Sequence, residues 1–281
     1  LEPVHDRIRI NYSDLRDPYT MPHLLRGQEL VFSLAGQLSH LDSMRDPATD
    51  LDINCRSQLS LLETCRALEQ DTKIVFASTR QIYGRPRYLP VDENHPVSPV
   101  DVNGINKLAA ERYYTLYHDV YGMRTVSLRL TNTYGPRMDL GSNSKGFLGV
   151  FLRKALLGER IDLFGDGLQR RDFNYVDDVV QALLLCGESD RVNGRSFNLG
   201  YPRPYTLLEL VEMLHGLTPF EYGCVPFPPE RRAIDIGDYY ADFSAFQAST
   251  GWTPKTDLPQ GLAQTVAFFR QHWNHYLPQR P

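Results

Sequence analysis

A parallel β-sheet covered by helices on both faces, followed by a smaller loop-rich lobe, is the α/β fold class this sequence predicts. Two observations carry it. Short apolar or β-branched runs alternate with longer amphipathic stretches through the first two thirds of the chain, and the alternation then gives way to a tail in which eight prolines fall between Pro202 and Pro259. Ile8–Asn11, Leu30–Leu34, Lys73–Ala77 and Thr125–Leu130 have strand length and are bounded by polar or turn residues. Between them, Leu51–Leu68 and Asn103–Tyr121 space leucines, alanines or tyrosines three and four apart, the period of a helix with one apolar face. Right-handed crossovers turn this order into a doubly wound sheet, whose ligands bind at the carboxyl ends of the strands.

From about Gly135 the pattern changes. A polar stretch, Arg137–Lys145, precedes a helix over Phe147–Leu157, a strand and turn over Ile161–Gly167, and a helix over Val176–Cys186. Tyr175-Val176-Asp177-Asp178 reads as that helix's start, because aspartates in a first turn favour the helix dipole. Two more helices are expected at Leu207–Leu214 and Gly261–His272. Thr206 with Glu209 three residues on is a capping-box start for the former.

Composition excludes several classes. The 281 residues hold 30 basic and 34 acidic side chains, interspersed, for a net charge of −4, so no nucleic-acid-binding face is expected. No apolar run approaches the ~18–20 residues that cross a bilayer, and the first residues lack a signal-peptide pattern. No membrane partner is expected, and the cytoplasm is the expected compartment. Cys55, Cys65, Cys186 and Cys224 form no C-x-x-C pair, so buried free thiols and no metal site are expected.

A dinucleotide site on such a sheet needs a glycine-rich strand-to-helix turn. The one G-x-G, Gly165-Asp166-Gly167, opens no helix and reads as a turn. Either the chain binds no dinucleotide in the usual way, or the first strand, glycine loop and helix lie upstream of Leu1.

A series of motifs bears on that choice: Ser13-Asp14-Leu15-Arg16-Asp17, Val31-Phe32-Ser33-Leu34-Ala35-Gly36, Ile53-Asn54-Cys55, Ser78-Thr79-Arg80-Gln81-Ile82-Tyr83-Gly84, Lys107 with Glu111, Thr131-Asn132-Thr133-Tyr134-Gly135-Pro136, Arg171-Asp172-Phe173, Asn198-Leu199-Gly200 and Gly251-Trp252-Thr253-Pro254. In this order they resemble the extended short-chain dehydrogenase/reductases, specifically the NAD-dependent nucleotide-sugar epimerases and dehydratases, over nearly the whole chain. The resemblance implies a Rossmann-like dinucleotide-binding domain from residues 1–136 and 174–202, with its first βαβ unit upstream, and a substrate-binding lobe from 137–173 and 203–281. It also implies NAD as cofactor, with NADP left open, and a nucleotide-diphosphate sugar as partner. A homodimer paired through the Leu51–Leu68 and Asn103–Tyr121 helices is expected as well.

Residue by residue, the resemblance assigns Asp14 and Leu15 to the adenine, although an aspartate after a strand also caps turns. It assigns Leu34, Ala35 and Gly36 to the dinucleotide backbone, where small residues otherwise simply end a strand. Thr79 matches the catalytic hydroxyl at a strand end. Dehydratases follow it with an Asp-Glu pair, whereas this chain has Arg80-Gln81, which cannot do acid–base work on carbon, so dehydration is disfavoured. Arg80, Asn132, Arg171 and Arg232 stand where substrate is gripped, arginine forks suiting phosphate oxygens; surface salt bridges are the plain alternative for both Arg171 and Arg232. Lys107 matches the family's lysine, which lowers the pKa of a tyrosine one turn earlier and binds the nicotinamide ribose. Asn103 occupies that tyrosine's position, and no other Tyr-x-x-x-Lys exists. An amide hydrogen-bonds a hydroxyl but takes no proton from it. The base would then be Tyr83, His40 or a water chain, a plain surface histidine being the equal alternative for His40; otherwise transfer is slow or absent and the protein a catalytically impaired binder of nucleotide sugar or dinucleotide. The leading expectation is an epimerase that transiently oxidises a sugar hydroxyl.

Overall fold

The computed structural model describes residues 2–17, 19–141 and 146–277. Its centre is a four-stranded parallel sheet in the order Leu30–Ser33, Lys73–Thr79, Arg124–Leu130, Arg195–Asn198. Register pairs Phe32 with Val75, Val75 with Val126 and Leu128 with Phe197. Successive side chains point to opposite faces, and both faces are dry. Ile74 and Phe76 pack against Leu61, Leu62 and Tyr114 from the helices Ser57–Ala67 and Val102–Tyr121. Val75, Val126 and Leu128 pack against Val179 and Leu183 of the helix Val176–Glu188, with Trp252 closing that side. The doubly wound fold class is therefore observed, and the near-continuous apolar run of the central strand is what burial on both faces demands.

Three expectations change. Ile8–Asn11 is not a strand, and Ile8 and Ile10 are exposed. Among the described residues no strand pairs with it, and β-branched residues without a ladder leave their backbone groups to water. The single helix expected over Leu51–Leu68 is broken into Pro47–Leu51, a wider π turn Asp52–Arg56, and Ser57–Ala67. That bulge turns Asn54 inward, where its amide meets the carboxylate of Asp50. Cys224 is exposed rather than buried, because its strand Tyr222–Val225 forms only a two-stranded ladder with Ile161–Phe164.

A third apolar core lies apart from the sheet. Helices Phe147–Leu157, Leu207–Leu217 and Leu258–Gln271 contribute Leu148, Leu152, Leu210, Leu214, Leu262 and Phe269, packed with Tyr134, Leu163 and Phe173. The capping box at Thr206 forms as expected: Thr206 Oγ1 accepts the Glu209 N–H at 3.0 Å, and the Glu209 carboxylate accepts the Thr206 N–H at 2.7 Å. Asp178 does more than start its helix. Its carboxylate accepts the N–H groups of Lys255 and Thr256, both at 3.0 Å, and its carbonyl accepts the Trp252 indole, tying the Gly-Trp-Thr-Pro turn to the sheet. Among the described residues no helix is long and apolar enough to cross a membrane.

One buried ion pair joins these layers beneath the strand ends. Glu111 lies on the long helix and is 1% exposed; Arg129, on the neighbouring strand, is bound to it through Nη2 at 2.5 Å and Nε at 3.1 and 3.2 Å. Ser78 Oγ donates to Glu111 Oε2 at 2.8 Å. Arg129 also donates to the Tyr83 hydroxyl, which donates to Asn198 Oδ1 at 2.7 Å. Removing one charge of such a pair strands the other. Glu111→Gln is expected to cost about 3–5 kcal/mol in urea-denaturation stability, and a loss below 1 kcal/mol would show that the pair is dispensable.

Candidate active site at the strand ends

Thr79 closes the central strand, and its Oγ1 accepts the Gln81 N–H at 3.2 Å as the chain turns into Arg80–Tyr83. The hydroxyl is half-buried at the carboxyl edge of the sheet, where a doubly wound fold presents ligands.

Lys107 reaches the same edge from below. Its ammonium donates to the Ala77 carbonyl at 3.0 Å and lies 4.8 Å from the centre of the Phe76 ring. Burial pushes its pKa down to about 8, with the Asp50 charge pulling the other way. Asp50 is 1% exposed and its carboxylate is held by amides: Asn54 at 3.0 Å and Asn103 at 3.2 Å on Oδ2, and Asn106 at 2.8 Å on Oδ1. Asn103 and Asn54 also donate to the Gln37 carbonyl, at 2.7 and 3.1 Å. Asn103 is thus 3% exposed and fully engaged inward.

The segment after the strand Leu30–Ser33 passes directly over this cage. A Cβ at Gly36 would sit 2.8 Å from Asn54 Oδ1 and 3.0 Å from Lys107 Nζ, so a larger residue would push these two side chains out of place. Leu34, Ala35 and Leu38 beside it are exposed, an uncovered apolar rim at the carboxyl end of the sheet. The structure therefore brings Gly36, Asn103 and Lys107 together. Asp14 and Leu15 stand apart: Asp14 is bound by the Arg16 side chain at 2.6 Å, whose hydrogen bonds hold its pKa down at about 2. The Asp52 charge acts on Arg16, so this loop lies towards the π turn.

On the other side of Thr79, Arg80 Nη2 donates to Asn132 Oδ1 at 2.9 Å, and the guanidinium covers the Tyr239 ring at 5.4 Å. Asn132 donates to the Asp172 carbonyl at 2.8 Å. Asp172 is wholly buried, and burial pushes its pKa up to about 7. One carboxylate oxygen accepts the Ala241 N–H at 3.0 Å, while the other, like the Tyr239 hydroxyl, is shut from solvent without a hydrogen-bond partner. Arg171 is 6% exposed; it donates to the carbonyls of Arg170 and Gly237 and lies 3.4 Å from Asp235, with burial pushing its pKa down to about 10. Arg232 is exposed in a cleft of about 460 Å³ that Arg85, Asp235 and Gly237 also line, so Asp235 and Gly237 are what connect the two arginines.

Sequence reasoning missed Asp50, Asp101, Asn106, Asp172 and Tyr239. The first and third had a signal: Asp50 and Asn54 are one helical turn apart, as are Asn103, Asn106 and Lys107, so one carboxylate faced by amides was readable once both helices were drawn. Asp172 stands in the Arg171-Asp172-Phe173 motif but had no role attached, and Tyr239, which it meets across nearly seventy residues of chain, had no signal.

The model of the NAD dependent epimerase/dehydratase family matches residues 2–200. A putative UDP-glucose 4-epimerase of Methanocaldococcus jannaschii is 34% identical over 247 residues, covering 87% of this chain and 78% of that protein. Among solved structures, the Thermotoga maritima UDP-glucose 4-epimerase with UDP-glucose superposes with a TM-score of 0.89 at 32% identity, covering 97% of this chain and 88% of that one. The Thermus thermophilus UDP-glucose 4-epimerase in complex with NAD gives 0.82 at 31% identity, covering 92% and 83%.

A lysine whose pKa falls on folding costs the folded state as pH drops from 10.5 towards 8 and nothing above that window. The Lys107 Nζ resonance, followed by nitrogen NMR, should titrate near 8; a midpoint at the free value of 10.5 would mean the ammonium is solvated after all.

Proposed function

This chain belongs to the NAD dependent epimerase/dehydratase family, and from that premise we propose that it is a nucleotide-sugar epimerase that oxidises one sugar hydroxyl transiently and returns the hydrogen from the other face. The observation that carries epimerisation over dehydration is the fate of Arg80 and Gln81. Arg80 is spent on Asn132, and Gln81 donates to Asp101 at 2.9 Å, so neither acts as acid or base on carbon.

NAD is the proposed cofactor, and when bound it supplies a reversible hydride acceptor. The residues fit it. The glycine cradle at Gly36, the exposed rim of Leu34 and Ala35, and a buried ammonium at Lys107 suit a flat, electron-poor ring and a ribose. Asp14 and Leu15 are proposed for the adenine, which requires Asp14 to exchange Arg16 for it. In this reading residues 1–136 and 174–202 bind the dinucleotide and residues 137–173 and 203–281 the sugar nucleotide. The Thr79 hydroxyl hydrogen-bonds the reacting sugar hydroxyl. Lys107 holds a positive charge beneath it, which favours build-up of negative charge on that oxygen. Asn132 and Arg80 orient the sugar, and Arg171 and Arg232 neutralise the diphosphate, Arg171 by giving up the Gly237 and Arg170 carbonyls. A UDP-hexose is the proposed substrate, by likeness to the relatives above.

One observation favours a second reading, a binder without turnover: Asn103 has both amide protons committed to Gln37 and Asp50.

We also propose a homodimer through the long helix, on which Ile105, Leu116, Val120 and Tyr121 are exposed while Tyr114 is spent on the sheet core. Sedimentation at micromolar concentration should give twice the chain mass; a monomer would remove this interface. For the chemistry, Thr79→Val should lower epimerase turnover by ~10²-fold or more with UDP-sugar affinity little changed. Unaltered turnover would take Thr79 out of the active site.

A further inference from the structure

An epimerase needs a proton acceptor for the sugar hydroxyl, and the tyrosine position holds an amide. Tyr83 does not fill the gap. It is fully buried, its hydroxyl is engaged by Arg129 and Asn198, and burial pushes its pKa up to about 12.

His40 is differently placed. Its Nδ1 lies 2.9 Å from Asp101 Oδ2, an ion-pair contact whose angle falls short of a regular hydrogen bond. The Asp101 side chain is wholly buried, whereas that of His40 is 33% exposed. The carboxylate is fixed from two further sides, by the Gly104 N–H at 2.7 Å and the Gln81 amide at 2.9 Å. Gln81 is also the residue whose N–H binds the Thr79 hydroxyl, so a short chain of contacts runs from Thr79 through Gln81 and Asp101 to His40. The backbone is pinned as well. Ser43 Oγ donates to the His40 carbonyl at 2.8 Å and accepts the Asn103 N–H at 3.2 Å, seating the helix His40–Arg45 on the start of the helix that carries Asn103 and Lys107. An imidazole with one nitrogen at a buried carboxylate and an open edge is the arrangement of an oriented general base, and such pairs tighten when substrate arrives.

We propose that His40, oriented by Asp101, is the general base that replaces the tyrosine, with Nε2 taking the proton of the sugar hydroxyl bound at Thr79. This rests on the epimerase reading. The O–H bond breaks and an N–H bond forms on Nε2; the oxygen's electron pair becomes the second bond of a ketone as hydride leaves for the nicotinamide, and in the return step hydride comes back to the opposite face of the ketone while Nε2 gives its proton back to the oxygen. Asp101 is a positioning residue that stabilises the imidazolium. Asn103 keeps the Asp50 cage closed.

The test uses UDP-glucose and UDP with the natural protein. Wild-type turnover that falls ~10²-fold or more in His40→Gln, with UDP-glucose affinity retained, supports the proposal, as does partial recovery of His40→Ala by added imidazole. Asp101→Asn keeps the cap on the Gly104 N–H and should lower kcat with KM unchanged. Independently of turnover, the His40 Cε1 proton resonance should move on adding UDP-glucose and stay in place with UDP alone. Full activity in His40→Gln, or a resonance that ignores the sugar, overturns the base while leaving the epimerase intact. A wild type that epimerises no nucleotide sugar overturns the reading itself, and the base with it.

Discussion

The buried pair of Glu111 and Arg129 is the constraint on which the rest of this structure depends. A carboxylate and a guanidinium taken out of water each carry a desolvation cost of several kcal/mol, which only close geometry and further hydrogen bonds offset. Here both are met. Burial works against the Arg129 charge, yet Glu111 holds its pKa above the ordinary value. Ser78 and Tyr83 complete the shell, and these two residues flank the turn that begins at Thr79. The pair therefore fixes the angle at which the central strand ends, the register of the long helix beneath it, and through Asn198 the neighbouring edge strand. Lys107 sits one turn before Glu111 on that helix, so its height under the sheet edge is set by the same contact.

One turn further towards the helix start, the problem is a lone buried carboxylate. Asp50 has no hydrogen-bonded cation among the described residues; three amides donate to it instead. Amides suit this task because each donates without titrating, so the cage holds its shape across the pH range in which an imidazole or a phenol would change charge. Asn103 thus has a structural role that a tyrosine could not share, since a phenol has one proton to donate and Asn103 spends two. The π turn at Asp52–Arg56 belongs to the same arrangement, because it carries Asn54, whose side chain binds both Asp50 and the Gln37 backbone.

Much of the fold was legible because its periods are local. Val75 between Ile74 and Phe76, the leucines of Ser57–Ala67, and the Thr206–Glu209 cap each announce their element within a few residues. Ile8–Asn11 failed because strand propensity describes a residue's fitness for a ladder and cannot supply the partner. The wide turn at Asp52 failed for the opposite reason, its sequence being good helix throughout and the contact of Asn54 with the distant Gln37 backbone having no local signal. At the candidate site, Thr79, Lys107 and Gly36 could be read from motif order, as each sits at a fixed place on a strand end or helix. The carboxylates Asp101 and Asp172 could not, because what distinguishes them is burial beside His40 and Tyr239, residues far away in the chain.

The polar side of the strand ends shows how that distant packing leaves the site unfinished. Burial pushes the pKa values of Arg80 and Arg171 down, and the Arg80 charge adds to the effect at Arg171. Asp172, the carboxylate between them, is pushed the opposite way, and one of its oxygens and the Tyr239 hydroxyl have no hydrogen bond. A fold optimised for stability alone would pair those groups with one another or replace them by apolar residues of like volume, since half-satisfied polar networks are worse than either choice. They persist beside Asn132 and Thr79, at the edge where a doubly wound sheet receives ligands. The apolar cores on the two faces of the sheet and in the lobe supply the stability that tolerates them. One open acceptor and one open hydroxyl beside two buried cations are complementary to a ligand that brings negative charge and hydroxyl groups together, which is the chemistry of a sugar joined to a diphosphate.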